Sequence, residues 1–171
     1  MKRLFNCFLL IIFLTVAGCA LFPNCALAML RQHHDAPGVL RYHSQVSIKD
    51  DNGYSWQVLL FRKNKLGEKE DINLRLVGFP GVYDFSHPQD LEIITSEGKL
   101  LNATDIYAEV SPAPNVGEYS FTRVLPELWN NKSANFKSVK LLLPLQGEKS
   151  LNLDISSDLV TEWQWFVDEF E

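Results

Sequence analysis

Leu40, Tyr42, Ser44, Val46 and Ile48 alternate with Arg41, His43, Gln45 and Ser47, the two-residue rhythm of a strand with one buried face. Asp51-Asn52-Gly53 supplies a tight turn, and Tyr54, Trp56, Val58 and Leu60 then resume the apolar side, so the two runs predict a hairpin. Ile72, Leu74 and Leu76 repeat the pattern until Phe79-Pro80-Gly81 interrupts it with a turn or bulge. Leu91 and Ile93 lead through Ser96-Glu97-Gly98 to Leu100, a second hairpin, and Tyr119 and Phe121 mark a further strand. Val139, Leu141 and Leu143 turn at Gln146-Gly147-Glu148 into Leu151, Leu153 and Ile155, a third hairpin.

Seven or eight short strands with no helical stretch between them predict a mainly all-β fold, an antiparallel sandwich or small barrel. One helix interrupts the rule, at the end of the chain. Ser156 or Ser157 caps it, Asp158 suits its positive end, and Leu159, Trp163, Phe166, Val167 and Phe170 form one apolar stripe. Trp165 falls off that stripe, among Thr161, Gln164, Asp168 and Glu169. A shorter helical turn is expected at Leu125 to Trp129, and Ser111 to Gly117 reads as a proline-rich loop.

The first residues belong to a different solvent. Lys2 and Arg3 precede an apolar run from Leu4 to Ala17, the pattern of a secretory signal peptide. A spanning helix needs about 20 apolar residues, which this run reaches only by continuing through Gly18, Cys19 and Phe22 to Pro23. Two processing schemes stand open. In the preferred one, Ala26-Leu27-Ala28 is the cleavage site, so residues 1–28 are removed and residues 29–171 form a single soluble domain starting at Met29. In the other, Val16-Ala17-Gly18-Cys19 is a lipoprotein box and Cys19 carries the lipid, although the residues after it stay apolar through Phe22 where a tether would be polar.

Cys7, Cys19 and Cys25 all lie before Ala28. Residues 29–171 therefore have no disulfide, no thiolate-bound metal and no cysteine nucleophile. They carry 14 basic against 21 acidic side chains, a net charge of −7, which disfavours nucleic acid and anionic lipid as partners.

Catalytic signatures are sparse. There is no Gly-x-Ser-x-Gly elbow and no glycine-rich phosphate loop, and no catalytic residue or cofactor is assigned. His33-His34-Asp35 has metal-binding side chains, but adjacent histidines on an extended chain face opposite ways, and a third ligand would have to come from His43 or His87; no metal site is assigned. Asp51, Asp84, Asp90, Asp105 and Glu109 become paired carboxylates only if the fold joins them. The residues expected to meet a partner are Trp165, an indole away from the packed stripe, and Pro112, Pro114 and Asn115 of the stiff loop.

Three segments, Arg75-Leu76-Val77-Gly78-Phe79-Pro80-Gly81, Pro112 to Gly117 and Val160-Thr161-Glu162-Trp163-Gln164, resemble an uncharacterised family of exported cyanobacterial proteins, a domain of unknown function. The resemblance implies a periplasmic or thylakoid-lumen location and brings no catalytic residues. The expected function is a noncatalytic accessory or binding protein of that compartment, associated with a photosynthetic membrane complex. A β-barrel carrier of a small apolar lipid or pigment is the alternative, and a hydrolase the third reading. An interior packed by Trp56, Leu60 and Leu74 would speak against the carrier.

Overall fold

The computed structural model describes residues 29–36, 39–65, 71–110, 112–129, 138–147 and 150–168. The two-residue rhythm becomes nine strands: β1 (Met29–Ala36), β2 (Val39–Lys49), β3 (Ser55–Lys65), β4 (Asp71–Val77), β5 (Leu91–Thr95), β6 (Leu100–Asp105), β7 (Val116–Ser120), β8 (Val139–Pro144) and β9 (Ser150–Ile155). Among the described residues three helices accompany them, α1 (Tyr107–Val110), α2 (Val124–Trp129) and α3 (Ser157–Asp168). The fold is thus mainly antiparallel β with a C-terminal helix. β1 exceeds the expected count because its letters, Met-Leu-Arg-Gln-His-His-Asp-Ala, show no apolar alternation; it is an edge strand held by its register with β2.

The strands form one sheet in the order β1-β2-β3-β4-β7-β6-β5-β8-β9, every neighbouring pair antiparallel. β1 and β9 do not pair, so the sheet is open. Directly opposed residues share a face, and the register shows what that face holds. One row runs Ser44, Leu60, Leu74, Tyr119, Asp105, and the next Val46, Val58, Leu76, Gly117. Beyond the short β6–β7 junction, Leu101, Ile93, Leu141 and Leu153 form a row of their own. All but Ser44, Asp105 and Gly117 in these rows are buried hydrophobics of a single core, and full burial of each leucine or valine contributes ~1.5–3 kcal/mol before entropy.

α3 packs against the sheet at β2. The Ser156 hydroxyl caps it by accepting the Leu159 N–H at 3.3 Å, and Leu159, Val160, Trp163 and Phe166 are buried. Trp163 meets Phe121 edge-on at 6.0 Å. Glu162 accepts a hydrogen bond from the Ser44 hydroxyl at 2.6 Å, which ties the last helix to β2 across 118 positions of sequence. No helix among the described residues is long and apolar enough to cross a membrane.

Candidate functional site

Residues 79–90 link β4 to β5 and are more than the turn the sequence suggested. After the turn at Phe79–Val82, where Gly81 has φ +79°, the connection runs past the end of the sheet as a plug. Tyr83, Phe85 and His87 keep the two-residue rhythm of a strand. Tyr83 stacks on Trp56 (5.6 Å, 28°), Phe85 meets Trp56 and Tyr119 edge-on (5.9 and 6.3 Å), and His87 stacks on Tyr107 (3.8 Å, 18°). Backbone bonds strap the plug to both halves of the sheet: Phe85 N–H to Pro114 O and Ser86 N–H to Pro144 O, each 2.8 Å. Gly117 is required here, since a Cβ would lie 2.8 Å from the Phe85 ring and 2.7 Å from the Tyr119 hydroxyl.

The plug brings His87 to Asp105. The Asp105 carboxylate accepts the Tyr107 N–H at 2.8 Å, the Gln89 N–H at 3.0 Å and the His87 ring nitrogen at 2.7 Å. Because the carboxylate is the acceptor, the ring donates from Nδ1. Asp90 closes the group by accepting the Asp105 N–H at 3.1 Å. An aspartate–histidine pair is the orienting half of a hydrolytic triad. The other half is absent among the described residues: Nε2 is buried and meets no hydrogen-bond partner. The pair as it stands pins the plug to the end of β6.

Tyr119 is the second buried polar group of this end, and its hydroxyl also lacks a partner. Burial, then the charges of Asp105 and Asp90, push its phenol far above the ordinary range. A buried hydroxyl without a hydrogen bond costs about 1–3 kcal/mol, so Tyr119→Phe is expected to raise stability at pH 7 by about 1 kcal/mol in urea denaturation. The raised phenol has a signed pH consequence: its contribution is complete below the unfolded value of about 10 and is lost above it, as the unfolded chain ionises and the folded one does not. The wild-type and Tyr119→Phe stability curves should therefore separate further above about pH 10, by up to ~1.4 kcal/mol per pH unit. Parallel curves there would refute it.

The outer surface of the same end carries exposed aromatics. Asp50 organises the β2–β3 turn: one carboxylate oxygen accepts the Asn52 and Tyr54 N–H groups and the other the Trp56 indole N–H. Phe79 is 57% exposed and Tyr54 41%, with ring centroids 6.3 Å apart. Gly78 and Asn115 lock the adjacent loop in place, the Gly78 N–H donating to Asn115 O at 2.9 Å and the Asn115 side-chain amide to Gly78 O at 2.8 Å. The first two segments singled out by resemblance, 75–81 and 112–117, are thereby joined at one edge of the molecule.

Residues 28–166, which contain all three of those segments, match the family model described as a protein of unknown function, DUF3122. The chain belongs to the DUF3122 family. No curated protein matches it, and no solved structure does.

The DUF3122 domain distributes the sequence-derived candidates unevenly. Trp165 is 68% exposed on the side of α3 away from the core, whereas Asn115 is half-buried and spends its side chain on Gly78. Pro114 is exposed and Pro112 half-buried. Among the described residues, no hydrogen bond or ring contact joins Trp165 to that loop. Asp105 meets His87 and Asp90 accepts the backbone N–H of Asp105, while Asp51, Asp84 and Glu109 remain on the surface outside that group. His33 and His34 lie on β1 and His43 on β2. No group of three His, Cys, Asp or Glu able to hold a metal is found among the described residues. Cys19 and the Ala28 cleavage site lie outside those residues. Trp56, Leu60 and Leu74 are fully buried in the core. Sequence reasoning missed the Tyr54–Phe79 pair and put Tyr54 on the apolar side of its strand, whereas its ring lies edge-on to Tyr83 at 5.9 Å and stays 41% exposed; the available signal was two aromatics beside turn glycines.

Proposed function

We propose that this domain is an exported, noncatalytic accessory protein of the periplasm or thylakoid lumen that binds a membrane complex through its aromatic end. The observation that carries the reading is the exposure of Tyr54 and Phe79 on turns that are fixed from behind. Large apolar side chains held rigidly at the surface lose little entropy on docking and are favoured binding anchors. The basic, apolar leader supports the compartment.

A photo-crosslinking amino acid at Phe79, in the native cell, tests this. The expected result is a recurrent adduct with one defined membrane-complex subunit, missing when the probe sits at the exposed Asn102 of β6. Equal, diffuse labelling from both positions would sink the docking face. The mass of the mature protein tests the address separately: a chain starting at Met29, or lipidated at Cys19, is expected, and an intact chain retained in the cytosol would overturn it.

A further inference from the structure

The outward face of α3 has a chemistry of its own, independent of the aromatic end. Trp165 is the most exposed large apolar residue among those described, at 68%. On a helix its nearest surface neighbours stand three and four positions away. Asp168 and Glu162 occupy +3 and −3, Thr161 −4, and the exposed Asp158 lies two turns back on the same side. Glu162 is engaged with Ser44, which leaves Asp158 and Asp168 facing solvent beside the indole. Among the described residues no salt bridge engages either of them, and residues 150–171 carry six acidic side chains and no lysine or arginine. Of the three other tryptophans, Trp56 and Trp163 are buried and Trp129 is half-buried.

An indole flanked by carboxylates has a definite complement. Its face attracts a cation, and an arginine laid over it can donate to a carboxylate one turn away. An anionic lipid surface would be repelled by the same carboxylates. We propose that the Asp158–Trp165–Asp168 face of α3 docks an arginine-bearing basic segment of a partner protein, the guanidinium stacking on Trp165 and pairing with Asp168.

The test uses the purified full-length protein with nona-arginine as probe, followed through the emission of the exposed indole and by calorimetry. Saturable binding is expected, weakening with added salt as the charges are screened. Trp165→Ala, which keeps every charge, should bind about fivefold more weakly, and Asp168→Lys more weakly still, while Phe79→Ala binds as the wild type does. Unchanged thermal midpoints for the α3 variants establish that the fold is intact. Equal affinity of Trp165→Ala and wild type would overturn the proposal, since attraction would then follow net charge alone. It would also be overturned if phosphatidylcholine vesicles shifted the indole emission in place of the peptide, or if the protein self-associated through Trp165 without any peptide.

Discussion

Trp56→Ala is expected to remove a large share of the stability of this domain, about 4 kcal/mol, because truncating a fully buried tryptophan typically costs 3–5 kcal/mol and a whole domain holds only about 5–15 kcal/mol. The size follows from what meets at one ring. Trp56 stacks on Tyr83, receives the edge of Phe85, lies against Gly78 so closely that a Cβ there would be 2.8 Å from its six-membered ring, and donates its indole N–H to Asp50 at 3.0 Å. Removing it opens a cavity between plug and sheet and leaves an oxygen of the nearly buried Asp50 carboxylate without that donor. Urea denaturation with Trp165→Ala as the partner variant checks it. The exposed indole should cost under about 0.5 kcal/mol, and comparable losses from the two would show that the interior is not organised around Trp56.

Arg75→Met should cost about 3 kcal/mol through a different mechanism. Arg75 and Glu118 are opposed on β4 and β7, on the outer face of the sheet. The guanidinium donates from Nε to Glu118 at 2.7 Å, forms an ion pair through its terminal nitrogen, and lies 5.3 Å from the centre of the Phe61 ring. Glu118 is fully buried. A buried ion pair adds little net stability compared with an apolar pair of the same size, but breaking one by deleting a partner costs about 3–5 kcal/mol, since a charge stays behind in a poor solvent. The discriminating measurement is the double-mutant cycle with Glu118→Gln. The double variant should recover part of the loss, and strict additivity of the two single changes would show that the pair does not act as a unit.

The sheet was legible because nearly every core strand has one buried face, and burial of one face writes a period of two into the letters. β3 and β9 could be read directly, as could the apolar stripe and the serine cap of α3. β1 could not, for an edge strand is specified by its ladder to β2 more than by its own apolar side chains. The plug was half legible. Tyr83, Phe85 and His87 alternate as a strand does, but Pro80, Gly81 and Pro88 on either side read as loop, and only tertiary contact with Trp56 and Tyr107 gives the segment its place. The His87–Asp105 pair, 18 positions apart and joined through β6, has no local signal at all. For the candidate docking residues the reading divided by solvent: Trp165 was visible as an apolar letter on the polar side of a helix, whereas the role of Asn115 depends on a carbonyl 37 positions away.

The bond between Ser44 and Glu162 sets a timetable for synthesis. A ribosome releases β2 long before the helix that covers it, so that part of the core stays accessible to chaperones until α3 has emerged. Completion of the core is thereby deferred to the docking of α3, and a chain arrested before residue 157 would leave the β2 end of the sheet uncovered.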